Sequence, residues 1–269
     1  MARKRQTKAN AITQRKKLHL AASRSDESFA DHAYKELEHL IVTAQIKPGD
    51  WVTEIALSQR LGIGRTPVRE ALQRLAHAHL LEIVPRRGLR ITEINVRDQL
   101  MLLEFRRGVE RYLSIRAAKF ATGGERAQFE ILARRMRDSG RSSDTAEHYR
   151  VDLDYKLLLL KVARHEYAAH AITPLWAVSR RFAWVTRFAR NVKFIAELTA
   201  DVIEAIANGD EERAGNSSDA FIEGLETLAR SYLEAEIEGR PFHTVQKGEA
   251  PKPKRRPPPD TAGKVSPRL

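Results

Sequence analysis

Apolar positions along the chain fall into two regimes: short periods that change type between residues 29 and 95, and long helical ones from Val96 onward. Tyr34, Leu37, Leu40, Ile41 and Ala44 recur at helical spacing, and the pattern stops at the turn sequence Lys47-Pro48-Gly49-Asp50. Trp51-Val52 reads as a short extended piece. Thr53 can cap a second helix striped by Ile55, Leu57 and Leu61 and ending at Gly62, whose missing Cβ permits a left-handed terminus. Thr66-Pro67 predicts a cap followed by proline at the first helical position, with Val68, Ala71, Leu72 and Leu75 as the buried stripe of a third helix. Residues 81–84 and 89–92 read as strands around a four-residue loop, Pro85-Arg86-Arg87-Gly88. Beyond Val96, amphipathic stretches at about 97–121, 124–139, 144–164, 166–190, 192–207 and 210–236 predict six helices. Breakers at Gly123-Gly124, Gly140 and Asn208-Gly209-Asp210 give short connections, which favour an antiparallel helical bundle.

Composition narrows the chemistry. The absence of cysteine excludes disulfides, thiolate metal sites and cysteine nucleophiles. No apolar run approaches the roughly 18 to 20 residues a membrane helix requires, so a soluble chain without a membrane partner is expected. No phosphate-cradling glycine loop, nucleophile elbow or catalytic carboxylate pair stands out, which argues against an enzyme. The formal charge of +12 resides in the ends: residues 1–28 carry 8 Lys/Arg against 2 acids, and residues 239–269 carry 8 against 2. Both ends read as basic disordered tails, the second rich in proline. They serve either solubility or salt-sensitive attraction to phosphates. The interior segments, 29–95 and 96–238, are nearly neutral.

Three short helices with a tight turn before the third, followed by a basic-tipped hairpin, describe a winged helix-turn-helix DNA-binding domain over 29–95. Arg65 and Arg69 lie four residues apart at the start of the third helix and project from one face, away from its apolar stripe. A guanidinium fork matches guanine O6 and N7, so both are candidate base readers. Thr66, with the N–H groups of the helix start, suits a phosphate; Arg86, Arg87 and Gly88 at the wing tip suit the minor groove or backbone.

These residues carry a resemblance. Ile46-Lys-Pro-Gly-Asp-Trp-Val-Thr-Glu54, Leu61-Gly-Ile-Gly-Arg-Thr-Pro-Val-Arg-Glu-Ala-Leu-Gln-Arg-Leu75 and Pro85-Arg-Arg-Gly88 closely resemble the DNA-binding domain of GntR-family bacterial transcription regulators. The resemblance implies base reading by Arg65 and Arg69, phosphate contact by Thr66, and wing contacts by Arg87 and Gly88. Three positions depart from the pattern. Gly64 stands where serine is usual, Ile55 replaces an arginine used in one branch, and His79 replaces a glycine, which predicts a positive φ there.

Residues 96–238 are similar to the FCD effector-binding and dimerisation domain of the FadR-like branch, through Leu103-Glu-Phe-Arg-Arg-Gly-Val-Glu110, Asp152-x-x-Tyr-Lys156 and the run from Ile203 to Ala214. The expected fold is therefore mostly α: an N-terminal winged helix-turn-helix plus a C-terminal all-α antiparallel bundle of FCD type. Many relatives hold a divalent metal between one Asp and three His. The corresponding positions are Asp152, Lys156, Thr199 and Phe221, so neither metal nor other cofactor is expected.

Lys156 lies four residues after Asp152, and two readings stay open: an internal ion pair filling the vacated site, or a clamp of Lys156 and Arg106 for an anionic effector. Thr199 would hydrogen-bond such an organic acid and Phe221 would narrow its cavity. His165 and His170 do not share a helix face, and a capping or surface role is expected for them. Trp176, Phe182, Trp184 and Phe188 read as core or dimer interface. Together these features predict a cytoplasmic, nucleoid-associated homodimer that binds a short palindromic double-stranded operator and responds to a ligand, acting as a repressor. The alternative is an effector-independent regulator whose bundle only dimerises.

Overall fold

The computed structural model describes residues 28–186 and 191–237; apart from Ser28, both predicted basic tails lie outside the described residues, as does Phe188. The N-terminal half runs α1 (Phe29–Val42), β1 (Trp51–Val52), α2 (Glu54–Leu61), α3 (Arg65–His77), β2 (Leu81–Val84) and β3 (Gly88–Ile91). Ser28 and Asp31 form a reciprocal capping box that starts α1, and Thr53 Oγ1 accepts from Ala56 N at 3.2 Å to start α2. Gly62 closes α2 at φ 66°. Leu37 and Ile41 of α1, Leu57 of α2, the α3 stripe Val68, Ala71, Leu72 and Leu75, and Leu89 and Ile91 of β3 share one core. The three strands are antiparallel in the order β1-β3-β2, so Trp51-Val52 clips the hairpin to the helices.

Four local expectations are corrected. Ile55 is 51% exposed and does not join the α2 stripe, which Leu57, buried, and Leu61, partly buried, carry into the core. α3 starts at Arg65 with Gly64 as its cap, so Thr66 and Pro67 are the second and third helical residues. Proline is tolerated there because the first-turn N–H groups have no intrahelical acceptor. The wing loop has three residues rather than four: Val84 pairs with Gly88, and Arg86 takes φ 63° while Arg87 N donates to Val84 O at 3.0 Å. Gly140 does not break a helix, as described below.

His79 adopts φ 57°, as the resemblance implies by its glycine at this position. Gly88 has an internal reason to be glycine, since at φ 111° a Cβ would come 3.1 Å from Val52 O.

Six further helices follow: α4 (Val96–Phe120), α5 (Gly123–Ser142), α6 (Thr145–Ala163), α7 (Glu166–Val185), α8 (Val192–Asn208) and α9 (Glu211–Ile237). Asn95, Thr122, Asp144 and His165 each accept a first-turn N–H and fix the starts of α4 to α7. The helix α5 continues through Gly140 to Ser142; a Cβ on Gly140 would lie 2.7 Å from Ala196 Cβ, so this glycine lets α5 and α8 pack closely. Arg137 reinforces that contact by pairing with Glu197, Asp201 and Glu204 of α8. Leu103, Phe129, Met136, Leu159, Trp176 and Ile203 anchor the bundle core. Phe182 is buried as well, whereas Trp184 is 42% exposed.

The helix α7 serves both halves. Ile172 and Trp176 lie in the bundle core, while Ala177 belongs to the core of the winged module and Val178 packs against it. Arg180 is ion-paired with Glu38 of α1, and Arg181 Nη1 donates to Leu80 O at 3.2 Å, at the entry to the wing.

Candidate nucleic-acid interface and bundle site

The third helix presents its polar face to solvent because its apolar stripe is consumed by the module core. Arg65, Thr66 and Arg69 are all exposed on its first two turns. Since Gly64 supplies no side-chain cap, the Thr66 hydroxyl and the first N–H groups of the helix are available to an anion. Arg69 is held in place: its Nε donates to Glu54 Oε2 at 2.9 Å and its Nη2 to Glu54 Oε1 at 3.0 Å. The Arg69 hydrogen bonds hold the Glu54 carboxyl below its ordinary range, with the Arg65 charge adding to the effect. Arg86 and Arg87 are exposed at the tip of the wing. The structure therefore brings Arg65, Thr66 and Arg69 onto one surface, with Arg86 and Arg87 on a separate projection of the same module.

The bundle candidates Arg106, Asp152, Lys156, Thr199 and Phe221 are all buried. Lys156 Nζ donates to Asp152 Oδ2 at 2.6 Å across one turn of α6. Arg106 is engaged elsewhere: its Nε donates to Glu110 Oε1 at 2.5 Å and its Nη1 to Ser179 Oγ at 2.7 Å. Trp176 links the two pairs, because its Nε1 donates to Glu110 Oε1 at 2.8 Å and its ring lies 5.3 Å from Lys156 Nζ. Burial raises the Asp152 carboxyl, but the Lys156 charge and hydrogen bond outweigh it and hold it below its usual range. Burial pushes the Lys156 ammonium down despite Asp152, and nearby Arg106 and Arg180 add to that. Thr199 Oγ1 donates to Ile195 O at 2.8 Å, within its own helix.

Residues 29–91 match the family described as bacterial regulatory proteins, gntR family, and residues 101–224 match the FCD domain. The chain belongs to the GntR family. Like other members, this GntR-family protein is a DNA-binding transcription regulator. It is 28% identical over 153 residues to the HTH-type transcriptional repressor RspR of Escherichia coli K12, covering 57% of this chain and 67% of that one. It is 23% identical over 141 residues to the HTH-type transcriptional regulator McbR of the same strain, covering 52% and 64%. The solved structure of E. coli McbR/YncC superposes with a TM-score of 0.66 at 18% identity, covering 77% of this chain and 99% of that one. A GntR regulator from Rhodococcus sp. RHA1 gives 0.58 at 20% identity over 75% and 97%. These superpositions establish the fold: a winged helix-turn-helix followed by a helical FCD bundle.

The donor set of this regulator does not fit the metal of its FCD relatives. Of the four matching positions only Asp152 offers a metal-ligand type, and an ammonium already bonds its carboxylate. Among the described residues, no group of three His, Cys, Asp or Glu side chains is placed to hold a metal ion.

Sequence reasoning singled out neither Glu54 nor Glu110, and both decide how an arginine is used. Glu110 was legible as an i,i+4 partner of Arg106 on one helix. Glu54 lies fifteen residues before Arg69 on another helix, and only the crossing of α2 and α3 brings them together. Arg180 and Arg181 carried no signal beyond their charge.

Proposed function

We propose that this regulator binds a short palindromic operator as a homodimer in the bacterial cytoplasm, on the nucleoid. In this reading Arg65 and Arg69 read bases in the major groove, Thr66 contacts phosphate, and Arg86, Arg87 and Gly88 bring the wing to the backbone or minor groove. The observation that carries it is the exposed Arg65–Arg69 face of α3, standing over a core that consumes every apolar residue of that helix. One module buries too little DNA for specificity, so two recognition helices are needed. The bundle offers a surface for pairing: Met101, Phe105 and Tyr112 are exposed on the side of α4 opposite its buried residues.

The reading is tested by comparing Arg69→Ala with the parent protein on an operator-bearing duplex and on a scrambled one. The expected loss is about 5- to 150-fold on the operator and much less on the scrambled duplex. Equal losses on both would reject base reading by Arg69.

For regulation, we propose that a small organic acid binds in the bundle at Lys156 and Arg106, and that repression responds to it. Each organic acid of a panel is added to the purified protein; at least one should raise the melting temperature, and Lys156→Ala should abolish the shift. One observation favours the second reading, a dimerisation bundle with no effector: both candidate cations already have carboxylate partners. Operator affinity that no acid changes would support that reading.

A further inference from the structure

We propose that Glu54 is a positioning residue for base recognition: its carboxylate holds the Arg69 guanidinium by one edge, so that the opposite edge faces a single guanine. This rests on the reading that the α3 face enters the major groove.

The geometry of the pair is specific. Arg69 uses Nε and Nη2 toward Glu54, at 2.9 and 3.0 Å, which is the side edge of the guanidinium. A guanidinium has five in-plane donors. Engaging the side edge leaves both hydrogens of Nη1 and the second hydrogen of Nη2, and the outer Nη1–Nη2 edge still carries two parallel donors. That outer edge is the fork that matches guanine O6 and N7. A carboxylate on the outer edge would compete with a base; on the side edge it leaves the reading edge open.

Exposure agrees with this division of labour. The Arg69 side chain is 65% exposed, whereas that of Glu54 is 25% exposed, so the guanidinium extends past the carboxylate toward solvent. Glu54 is in turn fixed as the first residue of α2, in a turn closed by the Thr53 cap. An unrestrained arginine would lose rotamer freedom when it docks on a base; held by Glu54, Arg69 has lost most of it beforehand. The carboxylate also places negative charge near the phosphates, which weakens binding to duplexes that offer no guanine in register.

The experiment uses the full chain and a duplex selected from a random-sequence pool, together with a scrambled duplex of the same composition, at one fixed salt concentration. Each guanine of the selected duplex is replaced in turn by 7-deazaguanine or by adenine. In the parent protein one guanine per half-site should show a loss of about 5- to 150-fold on replacement, and Arg69→Ala should abolish discrimination at that guanine. Glu54→Ala and Glu54→Asp should each remove most of the discrimination at the same guanine, with scrambled-duplex binding unchanged or tighter for Glu54→Ala. The aspartate keeps the charge but withdraws the carboxylate by one methylene, so a loss there reports position rather than charge. Melting curves of each variant confirm folding. Full discrimination in both Glu54 variants, alongside its loss in Arg69→Ala, would overturn the proposal and leave base reading by Arg69 intact. Equal tightening on both duplexes would also overturn it, making Glu54 a mere competitor of phosphate. Equal weakening of both duplexes by Arg69→Ala would defeat the underlying reading, and this proposal with it.

Discussion

Arg180 of α7 is ion-paired with Glu38 of α1, and the same guanidinium adds to the field that keeps Asp152 ionised inside the bundle. One side chain therefore touches the recognition module and electrostatically senses the buried Asp152–Lys156 pair. Its neighbour Arg181 bonds the Leu80 carbonyl, immediately before the first wing strand. A change of charge at Asp152 or Lys156 has a short path to the placement of α1 and the wing, through a helix whose residues lie in both cores. Regulation by population shift needs such an element, one whose position both sites bias.

Arg181 is a costly member of this junction. Burial pushes its pKa down to about 10 despite the attraction of Glu93, and its Nε has no hydrogen-bond partner. That environment disfavours the charged form by roughly 3 kcal/mol, while the charge-assisted hydrogen bond to Leu80 O, a carbonyl that keeps the Thr92 N–H as a second donor at 3.3 Å, is worth about 1.5 to 3 kcal/mol. The two nearly cancel in Arg181→Met, which keeps most of the volume. Urea unfolding should show a change in stability under about 2 kcal/mol. A loss above about 4 kcal/mol would instead make the guanidinium a strong net stabiliser.

Lys156→Met should behave differently, because it leaves Asp152 charged, buried and without a partner. Such a break costs about 3 to 5 kcal/mol. Adding Asp152→Leu removes the orphaned charge and should recover most of that loss, since apolar pairs of similar volume replace buried ion pairs with little penalty. Denaturant unfolding of the two single variants and the double variant measures this directly. Equal stability of Lys156→Met and the double variant would contradict it.

His148 gives the fold a pH dependence. Burial lowers its pKa below the usual 6.5, and of the charges facing it Asp152 pulls the value up while Lys156 pushes it down. Its Nδ1 has no hydrogen-bond partner. In the unfolded chain the imidazole takes up a proton near pH 6.5, whereas the folded chain resists until lower pH. The unfolded state thus binds more protons in that window, and stability falls as pH drops through about 6.5 toward the folded value. Melting temperatures from pH 7.5 to 5.5 should fall more steeply for the parent protein than for His148→Gln. Parallel profiles would show that His148 does not titrate differently on folding.

The α4 stripe bears on assembly. Met101, Phe105 and Tyr112 are exposed together on a face turned away from the bundle core. Phe105→Asp should shift the protein toward monomer in sedimentation equilibrium while leaving its helical signal intact, and should weaken operator binding with it. An unchanged dimer would assign pairing to another surface.

Much of this architecture was readable from residue patterns. The α3 stripe, the Gly62 terminus and the number of bundle helices follow from local rules about side-chain spacing and backbone sterics, whereas the positive φ at His79 was implied by the glycine that the family carries there. Where local signals were ambiguous, packing chose. Thr66-Pro67 suggests a start at Pro67, yet the helix starts two residues earlier, at Arg65 with Gly64 as its cap. Gly140 looks like a breaker in sequence, yet it is the flat spot on which Ala196 rests.

The sequence by itself determined the order of elements and the arginine pair on the exposed face of α3, because each depends on residue type at short, fixed separations. Only the tertiary structure decided the partners that arginines meet across long separations in sequence. Glu54 with Arg69, Glu38 with Arg180 and the Leu80 carbonyl with Arg181 are joined across 15, 142 and 101 residues. Such partners are selected by the angles at which helices cross, and those angles arise from the packing of whole cores.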